Sequence, residues 1–192
     1  MPLEIHYPFK PFEITQVWGN PNTAYEQFGF ELHNGVDARP WYSDAQLRSY
    51  YPVYCPVDGF TVWKVDYQPN GGGNEVWLIS DNEYQMFDKK CRALLVLCHG
   101  KKVLVKAGDK LSVGDLLMIG DNTGFSTGTH THIGLYRVDY NGAMMHDLDT
   151  NGASDSFDPS LFFTKKFAVD VASYTTLFKA SMRYYTYVST GL

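Results

Sequence analysis

The stretch Gly124-Phe125-Ser126-Thr127-Gly128-Thr129-His130-Thr131-His132-Ile133 decides how the chain is read. A loop punctuated by glycine and hydroxyl residues runs into a His-x-His pair at the head of an apolar segment, which predicts a loop feeding a strand. Alternate strand residues point to the same side, so His130 and His132 face one cleft while Thr131 faces away. Two imidazoles placed in this way are candidate metal ligands.

Outward from this stretch, β-branched and aromatic runs at residues 12–18, 52–67, 75–80, 93–99, 102–106 and 132–140 read as strands. Gly, Pro, Asn and Asp clusters at 19–22, 70–74, 107–109 and 121–124 separate them as turns. Hairpins follow, so the expected fold class is mostly β, an antiparallel sheet with long loops. Only residues 168–187 have helical spacing, with Val171, Tyr174, Leu177, Phe178, Met182 and Tyr185 near one face. The expected organisation is one domain over residues 1–165 and a helical extension or linker over 166–192.

A length of 192 residues suits a single domain with a sizeable core, and 44% hydrophobic with 19% charged residues excludes a disordered chain. The net charge of −5, with no basic stripe, argues against a nucleic-acid partner. Residues 1–6 do not look like a secretory leader and no apolar run reaches membrane-spanning length. The expectation is a protein made in the cytoplasm without membrane insertion. Cys55, Cys91 and Cys98 have no CxxC spacing and read as reduced, buried thiols.

Upstream, His33-Asn34-Gly35-Val36-Asp37 places an imidazole and a carboxylate four apart around a glycine. Without helical periodicity the segment reads as a loop, with Gly35 letting the backbone turn so that both side chains converge. On its own the segment is better read as a solvated His and Asp. With the His-x-His pair, however, His33, Asp37 and one of the two strand histidines give three N/O ligands, and a catalytic zinc site keeps its fourth position for water.

The combined pattern resembles the lysostaphin-type or LytM-type zinc metallopeptidases. His33 to Asp37, then Leu97-Cys98-His99, then Ser126 to His132 stand in that family's order, and Val105 to Asp115 followed by Ile119-Gly120 is similar to its hairpin. The resemblance covers roughly residues 10 to 165. It implies an antiparallel β metallopeptidase domain in which His33, Asp37 and His132 bind Zn2+, while His99 and His130 are unligated catalytic histidines. If His130 were a fourth protein ligand, the site would be closed, with no water to activate. Two departures from the pattern, Cys98 and Gly100 around His99 and Thr131 between the histidines, touch no coordinating atom. Cys98 is expected to face the core, opposite His99. Tyr25 is a further candidate, as an oxyanion donor.

A second metal is suggested by spacing alone: Asp147, Asp149 and Asn151, with Asp158 twelfth from Asp147, follow a Ca2+ loop. An Asp in place of the terminal Glu, Ser154 at the eighth position and no flanking helices favour a plain surface turn. The resemblance implies bacterial peptidoglycan as partner and substrate, cut in its stem or cross-bridge peptides. It also suggests a phage endolysin made in the host cytoplasm and acting at the cell wall. The competing expectations are a non-catalytic cell-wall-binding or regulatory module of the same fold, and a β-domain held together by a closed zinc site.

Overall fold

The computed structural model describes residues 2–41, 50–146, 153 and 155–169. Strands come in the order β1 (Ile5–Tyr7), β2 (Glu13–Gln16), β3 (Val36–Arg39), β4 (Tyr51–Tyr54), β5 (Phe60–Gln68), β6 (Gly73–Met86), β7 (Lys89–Val103), β8 (Lys110–Leu111), β9 (Leu116–Gly120), β10 (Thr131–Val138), β11 (Ser156–Phe157) and β12 (Phe163–Phe167). Short 3-10 helices at Thr23–Phe28 and Pro159–Phe162 complete the described elements.

One sheet carries the fold, in the order β2-β3-β10-β7-β6-β5-β8, with every neighbouring pair antiparallel. β11 extends β10, and β9 joins β7 to β4. A separate parallel pair, β1 with β12, ties the start of the domain to residues 163–167. β12 thus runs past position 165, where the sequence suggested a boundary.

Both faces of the central strands are apolar, as expected of strands covered on two sides. On β7, Ala93, Leu95 and Leu97 enter the main core with Leu78, Ile133 and Leu135. The alternate residues Leu94, Val96 and Cys98 pack with Tyr136 and Val138 on the opposite face. That second face continues across β10 and β3 as the floor of a cleft.

The antiparallel, mostly β reading holds, with differences of detail. The run at 52–67 is two strands, β4 and β5, broken at residues 55–59, where Gly59 takes φ 69°. β6 and β7 form a hairpin longer than the apolar runs, because pairing resumes beyond the exposed Asp81-Asn82 irregularity, from Glu83 opposite Arg92 to Met86 opposite Lys89. Residues 33–37 are half strand: His33 lies in a loop, but Asp37 is already on β3. Of the expected helix at 168–187, only Ala168 and Val169 fall within the described residues, and both pack on the main core.

Tyr51 joins this core to the His-x-His strand. It is fully buried, its ring meets Phe9 at 4.9 Å, and its hydroxyl bonds Thr131 Oγ1 at 2.8 Å. Tyr51→Phe leaves the Thr131 hydroxyl buried without that partner, so the expected loss of stability is about 1–3 kcal/mol, read as a lowered melting temperature with an unchanged circular dichroism spectrum.

Candidate active site

On β3 and β10, Asp37 stands directly opposite His132. Neighbours in this cross-strand position are close enough for their side chains to meet. His132 Nδ1 lies 3.0 Å from Asp37 Oδ1, and His33 Nε2 lies 3.1 Å from the same oxygen and 3.0 Å from His132 Nδ1. The three donor atoms therefore form a nearly equilateral triangle. A tetrahedral zinc ion with bonds of roughly 2.0–2.1 Å has ligand–ligand edges of about 3.3–3.4 Å, so this donor set fits such an ion with a small expansion. His33 is aimed by its other ring nitrogen, Nδ1, which donates to Val17 O at 3.0 Å.

Gly35 has a reason to be glycine other than the one its loop position suggested. Its φ is not in the left-handed region; instead, a Cβ there would lie 2.6 Å from His132 Cε1 and 2.5 Å from Ile133 O. The glycine makes room for the ligand ring.

His99 and His130 stand beside the triangle, their rings 4.6 Å apart. Each is turned by a backbone carbonyl: His99 Nδ1 donates to Thr123 O at 2.8 Å, and His130 Nδ1 donates to Gly128 O at 2.8 Å. Both therefore offer Nε2, and His130 Nε2 lies 3.4 Å from Asp37 Oδ2. Ser126 Oγ braces His130 Nδ1 at 3.2 Å.

His99 has φ 66°, uncommon in a strand and tolerated better by His, Asn and Asp than by most residues. This breaks the alternation, so Cys98 and His99 both line the cleft, and Cys98 does not face the main core as expected. Cys98 stays a thiol, because burial pushes its pKa well up. The His99 backbone is fixed by its N–H to Gly72 O at 2.7 Å. The turn that supplies this carbonyl interlocks with the histidine loop, since Phe125 N–H donates to Gly71 O at 2.7 Å.

Burial alone would raise the pKa of Asp37, but hydrogen bonds from His132 and His33 outweigh it and hold the carboxyl far below the usual range. Burial first, then the neighbouring His130 and His132, lowers His99 to about 3. Burial also lowers His132, against the pull of Asp37. These rings are thus kept neutral, the form that can bind a metal or accept a proton.

All five residues singled out in the sequence, His33, Asp37, His99, His130 and His132, line one cleft of about 430 Å3. Tyr25 lines it too, stacked on His33 at 5.6 Å, with its hydroxyl accepting from Gln16 Nε2 at 2.8 Å. Phe28 and Phe125 touch edge to face at 5.2 Å and link the two loops of the rim. The sequence reading missed these aromatics and the Gly71–Gly73 turn, whose only signal was a glycine cluster already explained as a hairpin. The proposed calcium positions Asp147, Asp149 and Asn151 lie outside the described residues. Asp158 caps a 3-10 helix, its side chain accepting from Ser160 N at 2.9 Å.

No protein-family model matches the chain. Its fold matches the catalytic domain of the antimicrobial peptidase lysostaphin from Staphylococcus simulans, with TM-score 0.57 and 20% identity over 79% of this chain and 91% of that one. A chain of the SpoIIQ–SpoIIIAH pore-forming complex matches with TM-score 0.55 and 16% identity over 90% and 96%. The fold is thus the lysostaphin-type peptidase fold, as the motif order implied. In sequence, the chain is 35% identical over 153 residues to a protein of Haemophilus influenzae described as an uncharacterized metalloprotease. That alignment takes in 79% of this chain but 28% of the relative, so the chain spans little more than a quarter of the relative's length.

Two outcomes follow from this geometry. Gly35→Ala drives a methyl into the His132 ring and the Ile133 carbonyl, so the purified variant is expected to bind zinc at least tenfold more weakly in a competition titration. His99, near 6.5 when unfolded, binds fewer protons in the folded state from there down to about 3, so its contribution to stability is lost as pH falls through that window. Melting temperatures of the metal-free protein should therefore drop between about pH 7 and pH 4, and less steeply in His99→Asn.

Proposed function

We propose that this domain is a zinc-dependent endopeptidase of the lysostaphin type, hydrolysing peptide bonds in the stem or cross-bridge peptides of bacterial peptidoglycan. The observation that carries the reading is the convergence of three ligand atoms with two further histidines that both present Nε2. A structural zinc site would close around four protein ligands; here a three-atom triangle opens onto a cleft.

His33, Asp37 and His132 would hold the metal. Bound there, zinc supplies Lewis acidity toward the scissile carbonyl and lowers the pKa of water toward about 7. His130 accepts the proton from the attacking water at Nε2, and the nearby Asp37 carboxylate favours the imidazolium that results. His99, neutral and fixed by Thr123 O, orients that water through its own Nε2. Tyr25 keeps its hydroxyl hydrogen for a substrate oxygen, because its oxygen is the acceptor toward Gln16. The aromatic rim favours a bound peptide over bulk water.

The peptidoglycan substrate is supported by the motif resemblance and by the lysostaphin-type fold. The same roles apply whether a phage or a bacterium encodes the chain. A non-catalytic module is the second reading, since the fold also occurs in a pore-forming complex. One comparison separates the two. Zinc-loaded protein should clear suspended cell walls near neutral pH, and a strong chelator should abolish the clearing until zinc is returned. His33→Ala and His132→Ala should lose both zinc and activity. His130→Ala and His99→Asn should retain about one zinc per chain by elemental analysis while turnover falls by roughly a hundredfold or more. If His130→Ala loses its zinc and His132→Ala keeps it, the two roles are reversed; if the wild type with its zinc clears no walls, the module reading stands.

A further inference from the structure

Glu75 has no part in the metal triangle, yet it lines the same cleft. It rises from β6 on the cleft side of the sheet and is only 3% exposed. Trp77 Nε1–H donates to its Oε2 at 2.6 Å, and the Gly72 N–H also bonds the carboxylate. Among the described residues no cation forms an ion pair with it. A buried carboxylate served by neutral donors alone is costly to keep.

The charge around it is one-sided. Among the described residues, the cleft is lined by two acids, Asp37 and Glu75, and by no Lys or Arg. Asp37 is committed to the two ligand histidines, whereas Glu75 has no cation in direct contact and feels only the more distant charge of Lys64. Beside it, the Trp77 indole already attracts one ammonium: Lys64 Nζ sits 4.1 Å from its ring centroid, held by Asp66 at 3.0 Å. Lys64 does not line the cleft. A carboxylate next to an indole is a combination that selects alkylammonium groups, by charge and by the ring quadrupole.

We propose that Glu75 and Trp77 form a subsite for a free amine of the substrate, so that the cleft selects wall peptides carrying an ammonium group close to the scissile bond. The proposal rests on the peptidase reading above. β6 lies two strands from β10, across β7. At a strand spacing of about 4.8 Å, Glu75 is roughly 10 Å from the His132 position, the span of about three extended residues. The amine therefore belongs to a residue at most about three positions from the cleaved bond. The competing role for Glu75 is to brace the Gly72 turn, whose carbonyl holds the His99 N–H at 2.7 Å.

The test compares soluble cross-linked muropeptides bearing free amines with the same muropeptides after acetic anhydride treatment, using zinc-loaded wild type and Glu75→Gln. For the wild type, acetylation should raise KM about tenfold with little change in kcat. Glu75→Gln should show the raised KM on untreated substrate and no further response to acetylation. Equal KM on both substrates in the wild type overturns the subsite and leaves the peptidase reading intact; hydrolysis of neither overturns both. A Glu75→Gln variant that loses kcat equally on both substrates, while still responding to acetylation in KM, assigns Glu75 to bracing and also overturns the proposal. The wild-type comparison needs no variant, so it decides the question even if Glu75→Gln folds poorly.

Discussion

The cleft depends on the register between β3 and β10, which sets Asp37 opposite His132. With a side-chain period of two, a slip of one residue would present Val36 or Ile133 to the cleft and bury the ligands in the main core. The apolar neighbours prevent this slip. Val36, Ala38, Ile133 and Leu135 are all essentially unexposed on the core side. The hydrophobic pattern that stabilises the sheet therefore also positions the polar atoms, and the energetic cost of burying Asp37 is met by the histidines it faces.

The two outer histidines depend on loops rather than on the ladder. His130 precedes β10 and His99 sits where β7 departs from regular geometry. Each is oriented by a carbonyl from the segment at 121–130, at Thr123 and Gly128. A single loop thus fixes the tautomer of both rings, which in turn decides which nitrogen faces the substrate.

Much of this was legible in the sequence, and the parts that were not share a cause. The alternation at His130-Thr131-His132 was enough to place two rings in one cleft and send Thr131 to a buried partner, Tyr51. Short apolar runs gave the central strands β6, β7 and β10. Local pattern could not show that Gly35 makes way for a ring 97 positions later, that His99 adopts φ 66°, or that Cys98 stays on the cleft side. Each of these is set by a contact distant in the chain. The far end of β6 was hidden for a related reason: beyond a register shift after Ile79, Glu83 to Met86 pair with Lys89 to Arg92 through backbone bonds that carry no side-chain signature.

The seam between the two glycine-bearing loops sets how this cleft can diversify. A Cβ at Gly124 would fall 2.3 Å from Gly73 N and 2.4 Å from Gly71 O, and one at Gly73 would fall 2.4 Å from Thr123 O. The obstacles are main-chain atoms, so no neighbouring rotamer change can relieve them. On the opposite wall, the 3-10 helix Thr23–Phe28 has no buried residue, and Phe28 is 37% exposed. Side-chain changes are therefore accommodated on the wall carrying Phe28, while the seam side admits none at Gly73 or Gly124. New peptide preferences would evolve by remodelling one bank of the cleft against a fixed other.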